Sequence, residues 1–271
     1  MNHGVGWQEI PATRRMRDGS VHSLALPVAE EVAVAISYNT FQYAVMMATP
    51  ADLEDFAIGF SMAEGFARPS DILSITISDS TEDSVTVDVT LAAPALHTFL
   101  ARRRIRNRVS HGGCGVCGVD DIDAALAPCA ISTNTFAPIE PASVLQALRD
   151  LRALQVLGRL THGAHAAAWV SDDGIIRLIR EDVGRHNALD KLIGAHAQSD
   201  VFHGSGFCIV TSRCCVELVQ KAASAGIRTL VAISAPTRLA ISHAQKAGIT
   251  LLASARDEGF TIYTDQATGI R

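Results

Sequence analysis

The chain has 271 residues, of which 48% are hydrophobic and 19% charged. That is enough apolar material for a packed core and excludes global disorder. The formal net charge is -5, from 23 Lys plus Arg against 28 Asp plus Glu, so the basic surplus of a general nucleic-acid binder is absent, and no apolar run reaches membrane-spanning length. Aromatic residues are only 5%, so the core must be built from Ala, Val, Ile and Leu, the usual filling of layered α/β proteins. MNHGVGWQEI has no charged segment leading into an apolar one and does not read as a secretory signal. A cytoplasmic location with six reduced cysteines is expected.

In chain order, the first ~25 residues read as weakly structured under the periodicity rules. EVAVAIS (residues 31–37) alternates β-branched and small residues as a strand does; Asn39 and Thr40 suit a turn, and QYAVMMAT returns as the second strand of a hairpin. TPADLEDFAIGFSMAEGF opens like a helix, with Thr49 as the expected cap, Pro50 at the first position and Asp52, Glu54 and Asp55 at the positive end of the dipole. DILSITISDS and DSVTVDVTLA read as two strands, and PALHTFLARRRIRNR as a helix running into basic residues. A glycine-rich stretch, SHGGCGVCGVDDIDAAL, follows, and NTFAPIEP reads as a connector near Ala137.

Beyond it, strand and helix alternate. HAAAWVS and IIRLIRE flank a turn at Asp172, Asp173 and Gly174; HNALDKLIGAHA is helical; GFCIVTS, VELVQKAASAG, TLVAIS and TRLAISHAQKAG continue the alternation, with Gly226 and Gly248 as left-handed caps. TLLASA and FTIYT close it. The pattern predicts an α/β fold (α+β overall): a β-rich α+β domain over 1–136 that ends in the glycine-rich loop, and an α/β domain over 137–271.

The loop HGGCGVCG places Cys114 and Cys117 two residues apart among four glycines, which let the backbone bend sharply and a bulky partner approach. Arg102, Arg103, Arg104, Arg106 and Arg108 form a positive cluster upstream, suited to stabilising a thiolate or holding an anion. Spacing leaves three readings open: half of a structural zinc site, a redox pair, or a sulfur carrier. The signature of zinc nucleobase deaminases, H-x-E with P-C-x-x-C, is missing, since no H-x-E occurs and Gly113 precedes Cys114. No metal ligand is assigned.

Other polar groups fall at strand ends, where open α/β sheets bind ligands. Arg185, His186 and Asp190 follow one strand; Ser212 and Arg213 follow the next, Ser234 another, and Ser254, Ala255, Arg256, Asp257, Glu258 and Gly259 span the last turn. Together they predict one lined sheet edge, fit for a large phosphorylated ligand. Cys214 and Cys215 read as buried small apolar groups rather than reactive thiols.

These residues also carry a family resemblance. MMATPADLEDFAIGFSMAEG, CGVCG, HAAA, REDVGRHNALDKLIG, SRCCVELVQKAASAGI, ISAPT and FTIYT, spread from about Val32 to Thr264, resemble the formate dehydrogenase accessory (FdhD) family. The resemblance implies a homodimer whose C-terminal half is a cytidine-deaminase-like three-layer domain. It implies a sulfurtransferase that takes persulfide sulfur from a cysteine desulfurase and passes it to molybdenum bis(molybdopterin guanine dinucleotide), with a guanine nucleotide as mimic, so that the formate dehydrogenase apoenzyme becomes active. Cys114 takes the persulfide role with Cys117 assisting, and residues 254–259 match the cofactor-contacting segment. Gly113 stands where the family usually has serine, and Cys214 and Cys215 where small or hydroxyl residues are usual. A cofactor-binding chaperone that moves no sulfur and a zinc-stabilised binding module are the rival readings.

Overall fold

A computed structural model describes residues 6–106, 138–199, 205–256, 258–265 and 270, with the side chains of 79, 80 and 103–106 left out. Cys114, Cys117, Arg108 and Asp257 lie outside the described residues.

A four-stranded sheet of order β4-β3-β6-β5 comes from β3 (Val32–Tyr38), β4 (Phe41–Ala48), β5 (Ile72–Thr81) and β6 (Ser84–Leu91). Asn39 and Thr40 turn the β3–β4 hairpin with φ of 48° and 68°, as the left-handed hairpin turns require. Alternate residues Val32, Val34, Ile36 and Tyr38 on β3, and Val85, Val87, Val89 and Leu91 on β6, point into one core. Helices α1 (Leu53–Ala63) and α2 (Ala93–Arg106) close it with Leu53, Phe56, Phe60 and Phe99. Thr49 does not cap α1: its N-cap is Asp52 in the left-handed region, and Thr49 serves a longer-range contact described below.

The second sheet has six strands in the order β12-β11-β10-β9-β7-β8: β7 (His165–Ser171), β8 (Ile176–Asp182), β9 (Gly206–Val210), β10 (Thr229–Ala232), β11 (Thr250–Arg256) and β12 (Gly259–Thr264). β9, β10 and β11 run parallel; β7 opposes β8 and β9, and β12 opposes β11. Both faces are covered. Ala167, Trp169, Cys208, Val210, Leu230, Ala232, Leu251 and Ala253 pack on α5 (Arg185–Ala197), α6 (Val216–Ser224) and α7 (Arg238–Ala247). The intervening residues Ala168, Val170, Phe207, Ile209, Val231 and Leu252 pack on α3 (Pro141–Leu154). The strict alternation of faces makes three layers, helix–sheet–helix, within a mixed α/β chain.

Helix α1 belongs to both cores. Its aromatic side packs on the four-stranded sheet, and its other side lies on α5 with Gly59 and Gly194 at the crossing. A Cβ at Gly59 would stand 1.7 Å from the Asp190 carbonyl oxygen, and one at Gly194 would stand 1.9 Å from that of Asp55. Beside the crossing, fully buried Asp182 and Lys191 pair at 2.7 Å. Asp182 also accepts from the backbone N–H of Thr49 (3.0 Å) and Gly184 (2.7 Å), and Lys191 donates to the Thr49 carbonyl at 2.9 Å. The two bonds to Thr49 cross more than 130 residues of sequence, a distance no local pattern could show.

Two further sequence expectations change. The first 25 residues are not weakly structured: β1 (Trp7–Arg15) and β2 (Val21–Ala29) form a two-stranded ribbon turned at Asp18–Gly19, with Gly19 at φ 88°. The signal was the Asp-Gly turn; Pro11 and Pro27 hid it, although in a two-stranded ribbon every strand is an edge and tolerates proline. The connector after Ala137 leads directly into two unexpected helices, α3 and α4 (Val156–Thr161), although Val144, Ala147, Leu148 and Leu151 carry the i, i+3, i+4, i+7 spacing of the first. Among the described residues no helix is long and apolar enough to cross a membrane.

Candidate functional site at one sheet edge

The strand directions bring the ends of β8, β9, β10 and β11 and the start of β7 to one edge. Arg185 and His186 open α5 there; Ser212 and Arg213 follow β9, Ser234 follows β10, and the β11–β12 turn adds Ser254, Ala255, Arg256, Glu258 and Gly259. The loops after β9 and β10 are tied to each other, since the Cys214 N–H donates to the Ala235 carbonyl and the Thr237 N–H to that of Cys214. Ser254 holds a left-handed φ of 51° within a register shift of β11 against β12, and its N–H donates to the Ser234 carbonyl at 3.2 Å. Ala255 is fully buried, and Arg256 stands exposed.

On the α3 side of this edge lies a cleft of about 680 Å³, and its walls include Arg152, Arg159, His162, Arg256 and Glu258. Three guanidinium groups against one carboxylate make it an anion site in character. Its wall α4 is fixed by Glu181, whose carboxylate accepts the backbone N–H groups of Leu157 (2.9 Å) and Gly158 (2.8 Å) at the positive helix end.

On the opposite side of the sheet, three half-buried side chains converge. His186 Nε2 lies 2.6 Å from Glu217 Oε2 and 3.3 Å from Cys215 Sγ. Burial opposes charge on His186, but its bonds to Cys215 and Glu217 outweigh burial and push the imidazole up to about 9. Burial likewise raises the Cys215 thiol, yet His186 and the Leu218 N–H at the start of α6 bring it below the ordinary thiol value. The bond from His186 holds Glu217 below the usual carboxylate range. Cys215 is therefore not the buried apolar group that its neighbour Cys214 is, whose thiol burial pushes up to about 12. Nearby, burial and the charge of Arg185 keep His165 below the ordinary histidine value.

With this geometry in view, comparison with known proteins is decisive. The profile of the FdhD/NarQ family matches residues 29–269. The chain belongs to the FdhD/NarQ family. Among its relatives, the sulfur carrier protein FdhD of Xanthomonas campestris pv. campestris (strain B100) is 43% identical over 255 residues, covering 94% of this chain and 90% of that one. The sulfur carrier protein FdhD of Bordetella petrii is 42% identical over 256 residues, covering 93% and 91%. The crystal structure of a Desulfotalea psychrophila protein described as a formate dehydrogenase accessory protein superposes with a TM-score of 0.74 over 97% of this chain and 98% of that chain; at 21% identity, it shows the shared fold.

Within this FdhD/NarQ chain the structure brings most of the residues singled out from sequence to the edge, but it buries Asp190, Ser212 and Ala255. Asp190 does not face a ligand: it is fully buried, and both its oxygens take the Lys221 ammonium at 2.7 Å. It shares the α5 face of His186 as its spacing implied, but that face turns under α6 one turn further on. Ser212 is also buried, with its hydroxyl donating to the Arg213 carbonyl at 3.0 Å, so Arg213 is the exposed member of that pair. Arg102 donates to the Glu64 carbonyl at 2.8 Å.

Sequence reading missed Cys215 and Glu217 as partners of His186, and Arg152, Arg159 and His162 as cleft walls. A Cys-x-Glu run at a helix start after a strand was a usable signal for the first pair. Nothing local marks the second set, because only the packing of α3 and α4 beside the β11–β12 turn makes cleft walls of these residues.

Proposed function

We propose that this chain is a sulfurtransferase that carries persulfide sulfur from a cysteine desulfurase to molybdenum bis(molybdopterin guanine dinucleotide), making a formate dehydrogenase active. The observation that carries the reading is likeness to sulfur carrier proteins along 94% of the chain, joined to a CGVCG loop whose thiols suit the chemistry. The Cys114 thiolate attacks the outer sulfur of the desulfurase persulfide; the S–S bond breaks, the donor leaves as thiolate, and Cys114 holds the new persulfide. For delivery as sulfide, Cys117 attacks the inner sulfur, the terminal sulfur leaves with the bond electrons, and the two thiols end as a disulfide, so atoms and electrons balance. The cofactor is the substrate of this transfer, and its phosphates and guanine suit the cleft walled by Arg152, Arg159 and Arg256. Work in the cytoplasm as a homodimer accompanies this reading.

The test is mass spectrometry of the chain after incubation with a desulfurase and cysteine. The expected result is one added sulfur on the Cys114 peptide, absent in Cys114→Ala, together with formate dehydrogenase left inactive by that variant. Full activation by Cys114→Ala overturns the reading.

A further inference from the structure

We propose that His186, Cys215 and Glu217 form a divalent-metal site of the zinc class, with three protein ligands and a fourth position open to an exchangeable ligand. The residues come from two helix starts at the same sheet edge: His186 sits in the first turn of α5, Cys215 is the N-cap of α6, and Glu217 lies in its first turn. Their donor atoms, an imidazole nitrogen, a sulfur and a carboxylate oxygen, all lie within 4.8 Å of one another.

The separations are specific. Nε2 to Oε2 is 2.6 Å, Nε2 to Sγ 3.3 Å and Sγ to Oε2 4.0 Å. Three atoms so spaced have a common point about 2.0 Å from each, and zinc binds nitrogen and oxygen at about 2.0–2.2 Å and sulfur at about 2.3 Å. At that point Sγ and Oε2 stand nearly opposite each other, so tetrahedral zinc, whose donors lie about 3.3–3.6 Å apart, draws the Glu217 carboxylate about 0.7 Å away from Nε2 and about 0.5 Å toward Sγ.

The chemistry agrees with the spacing. A mixed sulfur, nitrogen and oxygen set suits a borderline cation, and two anionic donors with one neutral histidine neutralise a double charge. Without a metal, the trio is held by the His186 Nε2 contact with Glu217 Oε2 at 2.6 Å and by the Cys215 thiol donating to the same oxygen over a long 4.0 Å. One cation at the shared centre satisfies all three. Side-chain exposures of 15% for His186 and 13% for Glu217 leave the centre reachable from the edge. Three protein ligands leave the tetrahedral fourth position for water or a soft anion, as in sites where the metal exchanges a ligand. The site stands apart from the sulfur-carrier reading, since neither loop thiol takes part in it.

The experiment uses the full chain carrying Cys114→Ser and Cys117→Ser, so that the loop thiols cannot bind the probe. Chelator-treated protein is titrated with cobalt(II), read by absorbance, and with zinc, read by elemental analysis after dialysis. One equivalent of zinc per chain and a thiolate-to-cobalt charge-transfer band are expected. Adding Cys215→Ser removes the band, and Glu217→Gln weakens binding at least tenfold. Serine still caps a helix start, so Cys215→Ser keeps the fold, which circular dichroism checks. Failure to retain zinc near one equivalent, or a cobalt band that survives Cys215→Ser, overturns the proposal, whatever the outcome of the persulfide assay.

Discussion

The polar run from Arg180 to Lys191 divides between two tasks. Arg185 and His186 reach the sheet edge, while Asp182, Asp190 and Lys191 are fully buried and brace the fold. Removing one partner of a buried pair leaves an uncompensated charge, so Lys191→Met should destabilise the chain by about 3–5 kcal/mol in urea unfolding, and the double variant with Asp182→Asn should recover part of that loss. Glu64 supplies a pH handle. Burial, aided by Asp190 and opposed by Lys221 and Arg102, pushes its carboxyl from 4.5 up to about 7. The folded chain therefore holds this proton over a range where the unfolded chain has released it, and stability attributable to Glu64 falls as pH rises from about 4.5 to about 7. Thermal melts across that range should show the decline, and Glu64→Gln should flatten it.

Among the elements, the glycines that close helices were legible and helix contacts were not. Gly248 closes α7 at φ 69°, as the local pattern implied, and the structure adds Thr237 as its cap, accepting the Ala240 N–H at 3.2 Å. Thr237→Ala should cost about 1 kcal/mol in chemical unfolding. Gly59 has no local signature beyond being a glycine within a helix, yet it sets how closely α1 approaches α5. Gly59→Ala drives a methyl into the Asp190 carbonyl, so the helices must part; a loss of about 1–3 kcal/mol or more is expected in urea unfolding. The β1–β2 ribbon escaped notice for the converse reason. Its residues are largely exposed, so no buried face imposes an apolar alternation on them.

For the molecule as a whole, the mixed sheet gathers chain segments far apart in sequence onto one edge, with a basic cleft on one side and the His186 cluster on the other. Arg152 and Arg159 are exposed at the cleft wall, so replacing both with alanine should leave the melting temperature nearly unchanged. The same double variant should weaken guanosine diphosphate binding at least tenfold in calorimetry, with a shallower dependence on salt. Undiminished binding by that variant, or no binding by the unaltered chain, would rule out this cleft as a nucleotide site.

The strands from β3 onward, most helices and their closing glycines followed from the residues alone, because period-2 and period-3.6 burial and turn glycines act within a few residues of one another. The CGVCG loop and the REDVGRHNALDK run likewise carried the family in plain view. The partnership of His186 with Cys215 and Glu217, the burial of Asp190 and the closeness of α1 to α5 did not follow, since each depends on strand order and helix crossing, which join groups about 30 to 140 residues apart through packing that no local pattern encodes.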